Sequence, residues 1–173
     1  MDNQNITVNM ENLSKEERTT LLSLIEKANK QKNKVWKPEE DEKYYCSYSD
    51  GCIEQDTYHD SNVNGTYVHE DRYAIGNCFK TREEAEFALE KQKVITELKR
   101  FSMEHNEKEI DWNNSNKRKS RLIYNHCTGR IDVVTDAHLL QGASIYFTSR
   151  EVAKQAIQTI GEERLKKYYF EVK

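Results

Sequence analysis

The sequence predicts an α+β fold, an N-terminal helix followed by two tandem β-β-β-α modules whose antiparallel sheets are covered by helices. An internal repeat is the first observation behind this expectation. The stretch "NCFKTREEAEFAL" at 77–89 returns as "IYFTSREVAKQAI" at 145–157, pairing Phe79 with Phe147, Thr81 with Ser149, Glu83 with Glu151 and Ala85 with Ala153. The second is a repeated turn, "SDGCI" at 49–53 and "CTGRI" at 127–131, with Trp36 and Trp112 ahead of the two units. The third is the alternation of large and polar residues on both sides of each turn, the period of half-buried strands. The interval from Gly51 to Phe79 exceeds that from Gly129 to Phe147, and the extra residues fall around "HDSNVNGTYVHE", a polar stretch suited to a loop.

Residues 1–35 read as a helix and a Lys-rich linker. Ser14 stands as its cap with Glu17 completing a capping box, and Leu21, Leu22, Leu24, Ile25 and Ala28 form a narrow apolar stripe. So short a helix must dock on something to persist.

Residues 36–107 form the first module. "KYYCSYSDGCIEQDTY" bends at Asp50-Gly51, a dipeptide that favours a tight hairpin because Gly tolerates positive φ. "RYAIGNCF" follows as a third strand, and Thr81 with Glu84 opens the covering helix through a second capping box. On that helix Ala85, Ala88, Leu89 and Met103 gather on one side, and Phe87, Val94, Leu98 and Phe101 near the other. One side covers the sheet. The other, Phe87, Val94, Leu98 and Phe101, is the candidate self-association surface, facing the N-terminal helix of the same chain or of a second copy in a homodimer.

Residues 108–173 form the second module. "RLIYNHCTGRIDVV" bends at Thr128-Gly129, "ASIYF" gives the third strand, and Ser149 caps the helix, with Val152 leaving the box incomplete.

Composition limits what this architecture can do. In 173 residues, 33% charged and 36% hydrophobic, ten Tyr, five Phe and two Trp supply bulk that disordered chains lack. No run approaches the ~20 apolar residues of a membrane span, and "MDNQNITVNMENL" lacks a secretory pattern, so the expected location is the cytoplasm, with Cys46, Cys52, Cys78 and Cys127 reduced. A mixed metal site from Cys46, Cys52, His126 and Cys127 is the first chemistry to weigh. Without a CxxC pair, an HExxH helix or a calcium loop, no metal and no cofactor is expected. His59, His69 and His138 stand near neither a nucleophile elbow nor a cysteine-protease signature, and six Gly build no phosphate-cradling loop. No catalytic residue is assigned, and an enzyme is not expected.

Charge is segregated although the net value is only -3. From Trp36 to Ile75 ten Asp and Glu face three Lys and Arg, whereas from Trp112 to Phe147 five Lys and Arg face two Asp. Glu39, Glu40, Asp41 and Glu42 are the candidate partner-binding acidic patch, suited to a basic groove on another protein. Lys117, Arg118, Lys119 and Arg121, with Tyr124 nearby, are the candidate nucleic-acid-binding patch; its plainer explanation is a solvated strand edge guarded by charge.

The runs "VWKPEEDEKYY", "AIGNCFKTREEAEFALEKQKVITELKRF" and "IYFTSREVAKQAIQTIGEERLKKYYF" resemble small proteins from phages and prophages of low-GC Gram-positive bacteria. The resemblance covers most of the chain and carries over no catalytic residue. It implies an accessory protein of the host bacterial cytoplasm, of the class that includes anti-CRISPR and other counter-defence factors. The resulting expectation is a non-enzymatic protein that inhibits a host defence protein, such as a nucleic-acid-guided Cas nuclease. Direct binding of DNA or RNA through the basic module is the alternative, as is sequestration of a signalling nucleotide at a dimer interface.

Overall fold

A computed structural model describes residues 13–30, 35–59, 67–137 and 141–172, with backbone alone for 26–30. The linker residues 31–34, most of the polar insertion (60–66), His138 and the side chain of Ala28 lie outside the described residues. Over the described residues the chain is mixed α+β with two small antiparallel sheets.

Helix α1 (Lys15–Lys30) opens with the expected box: Glu17 N–H donates to Ser14 Oγ at 3.3 Å and Ser14 N–H to Glu17 Oε2 at 2.8 Å. Its Leu22, Leu24 and Ile25 are exposed. Strands β1 (Lys43–Ser47) and β2 (Ile53–Thr57) pair from Lys43 opposite Thr57 to Ser47 opposite Ile53. Gly51 takes φ +85° at their turn, and Gly129 φ +67° at the corresponding turn of the second hairpin, which is why glycine stands at both.

The third strand expected over 72–79 is absent. Residues Val68–Ala74 are helical (α2), and Phe79 alone bridges Tyr45. The physical reason is visible in "VHEDRYA": Glu70 and Asp71 favour a helix N-terminal turn, and His69, Arg72 and Tyr73 recur at helical spacing. In the second sheet the order is β4 (Arg130–Asp136), β3 (Lys119–Asn125), β5 (Tyr146–Phe147), all antiparallel. Among the described residues the sheets therefore have two and three strands, and two equal three-stranded modules are not seen there. The aligned phenylalanines also part company. Phe147 is fully buried opposite Ser120, whereas Phe79 opposes Tyr45, which lies between the buried Tyr44 and Cys46 and so faces the other side of its sheet.

Helix α3 (Arg82–His105) is capped by Thr81 and Glu84 in a complete box, and α4 (Arg150–Ile160) by Ser149, which accepts from Val152 N–H at 3.2 Å. Gly161 ends α4; a short helix, Glu162–Arg164 (α5), then runs into a π-helical turn, Leu165–Tyr169. Val94, Leu98 and Phe101 of α3 are buried with Leu122, Val133, Phe147, Ala153, Ala156, Ile160 and Leu165 in the main core. Much of the stripe assigned to self-association is thus consumed within the chain, because the alanine face of α4 lets that helix pack close against α3. Met103, expected on the sheet-covering side, is 80% exposed. A second, smaller core holds Tyr44, Cys46 and Tyr58, flanked by Trp36 and Cys78.

Candidate functional site

Helix α2 lies over the buried face of the first hairpin and is fastened there by polar side chains. Tyr44 on β1 is fully buried; its hydroxyl is 2.9 Å from His69 Nδ1 and accepts from Arg72 Nη1 at 2.8 Å. Arg72 also donates to Asp56 Oδ2 at 2.6 Å and to the Tyr48 hydroxyl at 3.1 Å. Burial by itself would raise the Asp56 carboxyl; the Arg72 hydrogen bond and the Thr57 N–H override it and hold the group below the usual carboxylate range.

Beside this, Tyr58 donates to Glu70 Oε1 at 2.6 Å and Lys37 Nζ to the same oxygen at 2.8 Å, with the ammonium over the Tyr58 and Tyr73 rings. Burial pushes the Tyr44 and Tyr58 hydroxyls up to about 12, so both stay protonated as donors at neutral pH. The Glu70 hydrogen bond raises Lys37, which keeps its charge. These contacts tie α2 and Lys37 to the hairpin and make the unit a mount for what lies outside.

Outside are carboxylates, in two places. At the start of β1, residues 39–42 form a turn: Glu42 N–H donates to Glu39 O, and Asp41 N–H to Tyr58 O. Glu39, Glu40 and Asp41 are exposed, whereas Glu42 is half-buried and its Oε2 accepts from Glu39 N–H at 2.8 Å. The acidic run is thereby a folded turn, three of whose carboxylates face solvent. His59 Nδ1 lies 3.3 Å from Glu40 Oε1 and 3.5 Å from Asp41 Oδ1. Glu40, Asp41 and His59 are the three side chains that come within mutual reach as potential metal ligands among the described residues; Cys46, Cys52, His126 and Cys127 do not converge.

The other end of the hairpin borders an open cleft of about 890 Å³. Its walls are the β1–β2 turn with Cys52 and Glu54, the first turns of α3, and the π-helical turn. Glu54, Glu83, Glu86 and Glu90 face it beside Arg82 and Lys167, and the rings of Phe87 and Tyr168, 5.3 Å apart, lie on its floor. Sequence reasoning missed this site. The spacing of Glu83, Glu86 and Glu90 along α3 is a helical-face signal, but Tyr168 is brought there only by the tertiary fold.

The basic patch is divided by the fold. Lys119 is 4% exposed, and its ammonium donates to Asn114 O and Lys117 O at 3.2 and 3.1 Å beneath the Trp112 ring. Lys117 and Arg118 are exposed, Arg121 is half-buried, and Tyr124 is half-buried against His126 and Phe170. Phosphate contact through all four cations is therefore not available at once. Of the self-association residues, Val94, Leu98 and Phe101 lie in the core, and Phe87 is on the cleft floor.

Comparison with protein-family models, with curated proteins and with solved structures returns no match to this chain.

Proposed function

We propose that this chain is a non-enzymatic binding protein whose acidic first unit docks on a basic, nucleic-acid-binding groove of another protein. The observation that carries this reading is the contrast between the signs of charge. Lys37 and Arg72 are engaged by Glu70 and Asp56, while around the open cleft Glu54, Glu83, Glu86 and Glu90 outnumber Arg82 and Lys167, even with Glu86 paired to Arg82 and Glu90 to Lys93. Such a cleft attracts cationic segments over a distance, and Phe87, next to the Tyr168 ring that already carries the Lys167 ammonium at 5.0 Å, gives an Arg or Lys stem an apolar surface to cover. The exposed turn at Glu39, Glu40 and Asp41 extends the same sign to the far end of the hairpin.

The resemblance to phage accessory proteins supplies the partner class: a host defence effector, with a nucleic-acid-guided nuclease as the first case. The chain then acts as an anti-CRISPR or related counter-defence inhibitor. Divergence of two copies of one β-β-β-α module into unlike roles belongs to the same proposal. It is supported by the common strand order, in which Phe79 bridges β1 where β5 pairs with β3.

Plating of a targeted phage on cells that carry an active guided nuclease tests this. Expression of the chain restores plaques, and Glu54→Lys, Glu83→Lys, Glu86→Lys and Glu90→Lys combined removes the effect. Failure of the unmodified chain against a panel of such nucleases would overturn the partner class.

A further inference from the structure

Cys46 and Cys78 are free thiols that the backbone places face to face. Tyr45 and Phe79 exchange both of their backbone hydrogen bonds, each 2.9 Å, in antiparallel sense. Continuing that register by one residue sets Cys46 opposite Cys78 at a position without mutual hydrogen bonds, a kind of pair whose Cα atoms typically stand about 4.5 Å apart. That separation lies within the range of about 4.4–6.8 Å that a disulfide spans. On the far side of the pair the Asn77 side chain substitutes for a backbone: Ser47 N–H donates to Asn77 Oδ1, and Asn77 Nδ2 to Ser47 O, both at 2.8 Å. The two cysteines are thus held from both directions. Their side chains share one face, since Cys46 is fully buried beside Tyr44 and Tyr58 and Cys78 packs on the same small core.

We infer that Cys46 and Cys78 are a dithiol site that takes a low-molecular-weight disulfide as its oxidant and closes to a cross-strand disulfide. Cys78, the half-buried member, meets the reagent first. Its thiolate attacks one reagent sulfur, the S–S bond of the reagent breaks, and one reagent thiol leaves as Cys78 becomes a mixed disulfide. The Cys46 thiolate then attacks Cys78 Sγ and expels the second reagent thiol. Two cysteine sulfurs are oxidised, one reagent disulfide is reduced to two thiols, and the cysteine protons are carried away on them. Burial raises both cysteine thiols, Cys78 to about 11, so the exchange is slow near neutrality and quickens with pH. The bridge closes the chain from β1 to the residues just after α2. It staples down the segment that carries His69, Glu70 and Arg72.

The test uses the full chain with the exposed Cys52 and Cys127 changed to Ser. The protein is brought to equilibrium with oxidised glutathione at pH 9, quenched by alkylation, and mapped by mass spectrometry under non-reducing conditions. The expected result is one peptide pair joining Cys46 to Cys78, loss of both titratable thiols together, and a melting temperature higher by about 5–10 °C. Two alkylatable thiols remaining at equilibrium, or a stable glutathione adduct on Cys78, would overturn the inference. Adding Cys46→Ala separates the two steps: Cys78 then stops at the mixed disulfide.

Discussion

Arg72 and Asp56 meet at 2.6 Å between α2 and β2, the one side chain 17% exposed and the other 35%. The same guanidinium supports the buried hydroxyl of Tyr44. One side chain therefore joins three elements, and α2 owes its place to it.

Replacing Arg72 by Leu leaves a half-buried carboxylate and a buried hydroxyl short of partners. A loss of about 2 kcal/mol is expected, less than for a fully buried pair because Asp56 retains some water. Urea unfolding followed by tyrosine fluorescence measures it. A change below about 0.5 kcal/mol would mean that α2 is held by packing alone.

Asp56 also sets a pH dependence. Its folded carboxyl lies below the ordinary value, so its contribution is fully present above about pH 4, the unfolded value, and is lost as pH falls through the folded one. Between pH 5 and 2, the stability gap between wild type and Asp56→Asn should narrow as the wild-type carboxylate protonates. A gap constant over that window contradicts the assignment.

Thr81→Ala removes one arm of the capping box at α3, where Glu84 N–H donates to Thr81 Oγ1 at 3.2 Å and Thr81 N–H to Glu84 Oε2 at 3.2 Å. A cost of about 1 kcal/mol is expected in thermal unfolding. Ser149→Ala at α4 should cost less, because its cap is not reciprocated by a side chain at Val152.

Leu98 discriminates a core residue from an association surface. It is fully buried, so Leu98→Ala should lower stability by about 3 kcal/mol while leaving the sedimentation coefficient of the folded protein unchanged. Dissociation of an oligomer without loss of stability would restore the association role.

Much of this fold was legible in the residues. Three caps at Ser14, Thr81 and Ser149, and two turns at Gly51 and Gly129, follow from local chemistry that a sequence displays directly. Two expectations failed for a shared reason: the burial of a side chain depends on partners far away in the chain. "RYAIGNCF" alternates like a strand, yet the contacts of Arg72 with Asp56 and Tyr44 reward a helix. Val94, Leu98 and Phe101 look like a free stripe until α4 and the π-helical turn arrive to cover them. Lys119 is a different case: its ammonium turns back on the nearby carbonyls of Asn114 and Lys117 beneath the Trp112 ring, a loop geometry that residue types alone do not display. The acidic cleft needed the C-terminal turn beside α3, a juxtaposition of residues some eighty positions apart in sequence that Lys91 and Glu171 mark with a 2.6 Å ion pair.

The most direct measurement is capture of partners by the tagged chain from lysate of a phage-susceptible host, with and without nuclease treatment, beside the variant with Glu54, Glu83, Glu86 and Glu90 changed to Lys. Recovery of one defence complex in both wild-type samples and its loss from the cleft variant is the expected result. Capture that disappears on nuclease treatment, or that survives reversal of all four cleft carboxylates, would contradict a protein partner held at the acidic cleft.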